Sequence, residues 1–202
     1  MPSLYRIISP TQYKRMPWKN GLGETLEIVR LEDAIGVRFR LSQAAVIEDG
    51  MFSFFDGLQR TLVMLSGNGM TLSHQSDRTC HPPHVLNHAL DQASFSGGDK
   101  TYATLTDGPI EDLNIMARQA DTVAHVATHS SPMMLKSEAD VALFAGLYAQ
   151  SDCQIVINVA GRAPEVVSVL QDHTVHMLEE AELTLVSGNG IWITVTSTSK
   201  IC

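Results

Sequence analysis

Charge is the first thing this sequence is short of. Of 202 residues only 18% are Asp, Glu, Lys or Arg, and 14 basic side chains face 22 acidic ones, giving a formal charge of −8. So few cations, with no cluster among them, argue against nucleic acid as a partner, because phosphate binding draws on many placed Lys and Arg. The same balance argues against attachment to an anionic membrane surface. Aromatic residues are scarce too, at 6%. The longest apolar run, Val141 to Ala149, falls far short of the ~20 residues a membrane-spanning helix requires. The N-terminal Met1-Pro-Ser-Leu-Tyr-Arg-Ile-Ile has neither the basic start nor the apolar stretch of a signal peptide. Cysteine is limited to Cys80, Cys153 and Cys202, odd in number and widely spaced. No disulfide framework is expected from that set, and a reducing cytoplasm suits it.

Catalytic and metal motifs are missing as well. There is no Gly-x-Ser-x-Gly elbow, and Gly21-Leu-Gly23 and Gly67-Asn-Gly69 match neither a phosphate loop nor a dinucleotide fingerprint. Eight histidines are present, but no two are separated by a single residue, the spacing that puts two imidazoles on one face of a strand. His81-Pro-Pro-His84 with His88 has helical ligand spacing, yet the two prolines keep a helix from starting there. His173 and His176 fall on opposite faces of any strand that holds both. No metal and no cofactor are expected.

What is present is period-two alternation. In Glu24-Thr-Leu-Glu-Ile-Val-Arg30, Thr25 and Glu27 share one face while Leu26 and Ile28 share the other. Val37 to Gln43 repeats the pattern, with Phe39 and Leu41 read as inward and Arg38, Arg40 and Ser42 as outward. Further strands are predicted at 60–66, 69–74, 101–105, 111–117, 122–128, 154–160, 165–170, 174–178, 183–187 and 190–197, divided by Gly, Asn, Asp and Pro. A helical turn fits Thr11–Met16 after Ser9-Pro10. Ser137–Ala149 reads equally as helix or strand. Many short strands at even spacing predict an all-β sandwich or barrel.

An internal echo adds to this. Leu62-Val-Met-Leu-Ser-Gly-Asn-Gly-Met-Thr-Leu72 resembles Leu183-Thr-Leu-Val-Ser-Gly-Asn-Gly-Ile-Trp-Ile193. Each reads as a hairpin closed on Asn-Gly. Together they suggest a duplicated β-module, against the alternative of two unrelated hairpins sharing a common turn.

Two polar segments stand out. In Met16-Pro-Trp-Lys-Asn-Gly-Leu-Gly-Glu-Thr25, Trp18 offers a flat wall with an N–H donor, Lys19 a cation for a carboxylate, and Asn20 both donor and acceptor. The plainer reading is a loop whose Trp18 plugs the end of a barrel. In Gly108-Pro-Ile-Glu-Asp-Leu-Asn-Ile-Met116, alternation puts Asp112, Asn114 and Met116 on one face. Either that face is exposed, or it lines a barrel interior where Arg60 or a ligand must satisfy it.

These two segments, with Arg60-Thr-Leu-Val-Met-Leu-Ser-Gly67 and Phe95-Ser-Gly-Gly-Asp99 between them, resemble the HutD/Ves family of cupin-like proteins. The resemblance spans roughly 4–197, with its C-terminal half carried only by strand pattern and the Ser-Gly-Asn-Gly turn. It implies a bicupin: two jelly-roll-like β-barrel modules, 1–120 and 121–202, in one body. It implies no metal, and pocket residues Trp18, Lys19, Asn20, Glu24, Thr25, Arg60, Asp112 and Asn114. The function expected is non-catalytic binding of a small carboxylate (formylglutamate, urocanate or formate) in the cytoplasm, as a regulator linked to histidine utilisation. The alternatives are a cupin enzyme, isomerase or hydrolase, acting on a small acid, and a protein-binding scaffold of the stress-response Ves type. A homodimer is compatible with all three.

Overall fold

A computed structural model describes residues 3–18, 23–75, 82–130, 132–137 and 142–198. Among the described residues it is all-β apart from one 3-10 turn, Pro10–Gln12, which follows Ser9. The helical turn expected over Thr11–Met16 is corrected, since Lys14–Pro17 is a strand. The strands in chain order are β1 (Tyr5–Ile8), β2 (Lys14–Pro17), β3 (Gly23–Asp33), β4 (Gly36–Val46), β5 (Gly50–Met51), β6 (Leu58–Ser66), β7 (Met70–Gln75), β8 (His84–Leu86), β9 (Gln92–Ser96) and β10 (Lys100–Leu105). They continue as β11 (Ile110–Arg118), β12 (Thr122–Ser130), β13 (Met133–Ser137), β14 (Ala142–Ala149), β15 (Cys153–Asn158), β16 (Glu165–Val169), β17 (Thr174–Met177), β18 (Ala181–Ser187) and β19 (Asn189–Ser197). Among the described residues no helix is long and apolar enough to cross a membrane.

The chain divides into two compact units, Lys14–Asp121 and Met1–Tyr13 with Thr122–Cys202. The first strand therefore goes with the later unit, because β1 pairs antiparallel with β17 from Tyr5↔Met177 to Ile8↔Thr174. Lys14–Asp121 holds a six-stranded sheet, β2-β3-β4-β11-β6-β9, and a four-stranded sheet, β5-β10-β7-β8. The other unit holds a five-stranded sheet, β12-β19-β14-β17-β1, and a four-stranded sheet, β13-β18-β15-β16. Eight strands correspond one to one: β4 through β11 take the same neighbours, in the same order, as β12 through β19.

The sequence echo does not fall on matching strands. Under this correspondence β6–β7 matches β14–β15, while β18–β19 matches β10–β11. Nor is either echo a hairpin. β6 pairs with β11 and β9, whereas β7 pairs with β10 and β8, so Ser66-Gly-Asn-Gly69 carries the chain from one sheet to the other. Ser187-Gly-Asn-Gly190 does the same between β18 and β19. The leading glycine of each corner has positive φ, 105° at Gly67 and 85° at Gly188. A Cβ would lie 2.6 Å from Ile110 Cγ2 at Gly67 and 2.7 Å from Cys153 Cβ at Gly188. The motif is a tight corner that admits no side chain at that position.

Each unit buries its own core. In Lys14–Asp121, Leu62 and Met64 of β6 pack with Met70 and Leu72 of β7 and Ala103 of β10. In the other unit Leu147 and Trp192 pack with Ile155, Leu183 and Leu185. Fully burying such a side chain stabilises by ~1.5–3 kcal/mol. The ambiguous 137–149 segment holds strand β14, in which Phe144, Ala145, Leu147, Tyr148 and Ala149 are all buried. With both faces covered, no alternation survives to mark it as a strand.

Candidate ligand-binding site

A cavity of about 570 Å³ opens in unit Lys14–Asp121 against the inner face of the six-stranded sheet. Strands β4, β6 and β11 lie side by side, with Arg60 opposite Met116 and Asp112 opposite both Ala44 and Met64. The pleat turns Arg40, Ser42 and Ala44, then Arg60, then Asp112, Asn114 and Met116 toward the cavity. The open question about Asp112 and Asn114 is thereby answered: they line the interior. Reading Arg40 and Ser42 as outward is corrected. Both are buried, as are Phe39 and Leu41 on the opposite face. Alternation separates the two faces of a strand without saying which one is covered, and here both are.

At the centre lies Arg60, 4% exposed. Its Nη2 donates to Asn114 Oδ1 at 2.5 Å. The guanidinium carbon lies 5.0 Å from the ring centres of Phe52 and Phe95 and 5.7 Å from that of Phe55. Such aromatic faces attract the cation but accept no conventional hydrogen bond from its N–H groups, which stay available to a ligand. Asn114 Nδ2 donates in turn to Asp112 Oδ1. Among the described residues three buried side-chain atoms lack a hydrogen-bond partner, and two of them, Arg60 Nε and Asp112 Oδ2, lie at this site; the third, His129 Nε2, belongs to the other unit. Burial, opposed by Arg60 and reinforced by Glu111, pushes the Asp112 carboxyl up to about 7. Burial lowers Arg60 to about 10, opposed by Asp112 and reinforced by Arg40, so it remains cationic at neutral pH.

The rim and floor are built from more residues. Trp18 follows β2, and its Nε1 donates to Thr25 Oγ1 of β3 at 2.9 Å, which fixes the indole as one wall. Arg40 Nε donates to Glu27 Oε2 at 2.8 Å, and both side chains are about nine-tenths buried. Five of the expected pocket residues therefore converge: Trp18, Thr25, Arg60, Asp112 and Asn114. Glu24 points away and forms an exposed ion pair with Arg15 at 3.0 Å. Lys19 and Asn20 lie outside the described residues. Arg40, Glu27, Ser42 and the phenylalanines 52, 55 and 95 escaped the sequence reading. The phenylalanines of 52 and 55 sit in short loop segments with no periodicity, though Phe-Ser-Phe-Phe is a dense patch in a chain poor in aromatics.

Among the described residues the histidines form one pair and no larger cluster. His84 Nδ1 meets His74 Nε2 at 2.9 Å, and His74 Nδ1 meets Thr101 Oγ1 at 3.0 Å. His88 sits instead beside Asp91, and His81 lies outside the described residues. His173 lies outside β17, and its Nδ1 meets the Gln171 carbonyl. Among the described residues no group of three or more His, Cys, Asp or Glu side chains could hold a metal ion.

The HutD family model matches residues 10–198. The chain belongs to the HutD family. An uncharacterised 21.2 kDa protein in the hutC 3′ region of Pseudomonas putida is 34% identical over 164 residues, covering 79% of this chain and 80% of that protein. Protein Ves of Citrobacter koseri is 34% identical over 111 residues, 52% of this chain and 56% of its own length. The structure of HutD from Pseudomonas fluorescens, in a formate condition, has a TM-score of 0.78 at 24% identity, covering 96% of this chain and all 100% of that one. Oxalate decarboxylase from Lactobacillus farciminis shares the fold at a TM-score of 0.62 and 9% identity, over 97% of this chain and 86% of that one. Around the HutD-family fold, then, a cupin-like architecture recurs.

Proposed function

We propose that this HutD-family protein binds a small carboxylate without transforming it, as a cytoplasmic regulator linked to histidine utilisation, with a ligand of the formylglutamate, urocanate or formate type. One observation carries the reading: a buried guanidinium, Arg60, with its Nε unpartnered, faces a 570 Å³ cavity beside a tryptophan wall. A desolvated cation that keeps a donor unspent is a carboxylate receptor in waiting, and Arg presents that donor in a fixed planar fork. The hutC-region relative supports the pathway link. We further infer that the two units are duplicated cupin-like modules, supported by the matching neighbour order of β4–β11 and β12–β19. Among the described residues the unit Lys14–Asp121 lines its cavity with Arg60, Asp112 and Asn114, whereas in the other unit Leu147, Ile155, Leu183 and Trp192 form an apolar core.

A micromolar ligand corresponds to about −8 kcal/mol. Charge-assisted bonds at ~1.5–3 kcal/mol each, plus burial against Trp18, reach that figure in a dry pocket. Isothermal titration with formylglutamate, urocanate and formate tests the proposal. Saturable heat from at least one of them is expected; silence from all would remove the carboxylate reading.

Asp112 favours a second reading. A carboxyl raised to about 7 is matched to proton transfer near neutral pH, as a cupin isomerase or hydrolase would need. Proton NMR of each acid incubated with the protein separates the two: new signals that vanish in Asp112→Asn would establish catalysis.

A further inference from the structure

Charge inside the cavity has to balance, and that requirement reaches beyond the proposed function while resting on it. Arg40 is paired with Glu27 at 2.8 Å; Glu27 also meets Arg30 at 3.7 Å, but Arg30 is part-exposed and its charge is screened by solvent, so it stands outside the buried set. Among the described residues no carboxylate lies on the Arg60 guanidinium, and its one polar partner is the Asn114 amide oxygen. The remaining ionisable wall residue is Asp112, 1% exposed, with Oδ1 occupied by Asn114 and Oδ2 facing no donor. With Asp112 ionised, the set Arg40, Glu27, Arg60 and Asp112 is neutral, and an anion would enter as an uncompensated buried charge. With Asp112 neutral the set carries one positive charge, which one carboxylate cancels. Burying an unpaired charge is far costlier than moving a proton onto an acid that burial already disfavours as an anion.

We propose that Asp112 binds ligand as a neutral carboxyl group, donating an O–H from Oδ2 to the carboxylate held by Arg60, so that each anion enters with one proton from solvent. Asp112 would thus be a specificity-determining residue. It selects anions able to accept that O–H, and it ties occupancy to pH. The charged groups facing it are Arg60 from β6, Arg40 with its Glu27 from β4 and β3, and Glu111 beside it on β11, whose Oε2 is held by Ser66. Burial of the carboxyl, with a free form titrating at about 7, places the change inside an accessible range.

Formate and formylglutamate are suitable probes, since carboxylates of this kind stay ionised from pH 6 to 9. The Kd should be flat below the titration point and rise roughly tenfold per pH unit above it, about 90-fold in all from pH 6 to pH 9. Titration at pH 8 in buffers of different ionisation enthalpy should show close to one proton taken up per ligand bound. Asp112→Asn keeps a donor at this position and should bind both probes with no pH dependence and no proton uptake. A pH-independent Kd in the wild type, or proton release on binding, would overturn the role of Asp112 and leave the carboxylate reading standing. No heat from either probe at any pH would overturn both. The wild-type proton count stands whether or not Asp112→Asn folds.

Discussion

Replacing Arg60 by methionine separates what the site does for binding from what it does for stability. In the free protein Arg60 is a buried cation with one hydrogen bond, to Asn114, and three phenylalanine rings around it. An unbranched thioether of similar length fits among those rings and packs favourably against them. Removing a buried cation that has no carboxylate partner relieves a desolvation penalty of several kcal/mol, against ~1–3 kcal/mol for leaving Asn114 Oδ1 without its donor. For a chain of this size each kcal/mol moves Tm by roughly 2–4 °C. Arg60→Met should therefore leave Tm unchanged or raise it by a few degrees. Binding moves the other way. Losing two charge-assisted bonds at ~1.5–3 kcal/mol each removes about 3–6 kcal/mol, a factor on the order of a hundred to tens of thousands in Kd. Differential scanning fluorimetry and titration calorimetry on one preparation read both. A Tm lowered by about 6 °C or more, with carboxylate affinity intact, would refute the reasoning and make Arg60 a structural residue.

Other expectations follow from the same geometry. Trp18 lines the cavity while Trp192 sits in the apolar core of the other unit, so ligand should alter fluorescence in Trp192→Phe but not in Trp18→Phe. Glu27→Ala strands a buried Arg40 and should cost ~3–5 kcal/mol by chemical denaturation, whereas Glu24→Ala, which breaks only the exposed pair with Arg15, should change stability by less than about 0.5 kcal/mol. Burial, reinforced by Arg6, lowers His176 to about 4 from the usual 6.5, so the unfolded chain takes up its proton first and stability falls as pH drops between those values. His176→Gln should flatten that part of a Tm-against-pH curve; an unchanged slope would exclude His176 as its source. Gly188→Ala, at a φ of 85° and against Cys153, should lower Tm sharply, and a neutral result would contradict the corner geometry.

Much of the site was legible because its residues are of kinds that alternation exposes. Asp112 and Asn114 stand out as polar positions two apart in an otherwise apolar strand, and Trp18 and Arg60 as rare residue types in a chain poor in aromatics and cations. Arg40 and Ser42 were lost because β4 is covered on both faces, and polarity alone then points the wrong way. β5 and β8, of two and three residues, are too short to carry a period at all. The Ser-Gly-Asn-Gly echo shows a subtler failure. A turn motif records local backbone shape, and the same tight corner serves at non-equivalent places in the two units. The matching order of β4–β11 and β12–β19 lies in long-range pairing, which no short stretch of sequence records.

The most direct test of carboxylate binding is a crystal structure with formylglutamate or formate soaked to saturation. Density for one molecule per chain is expected in the unit Lys14–Asp121, beside Trp18, with oxygens within hydrogen-bonding distance of Arg60 Nε and Asp112 Oδ2. An empty cavity at saturating ligand, or ligand bound only elsewhere, would contradict it.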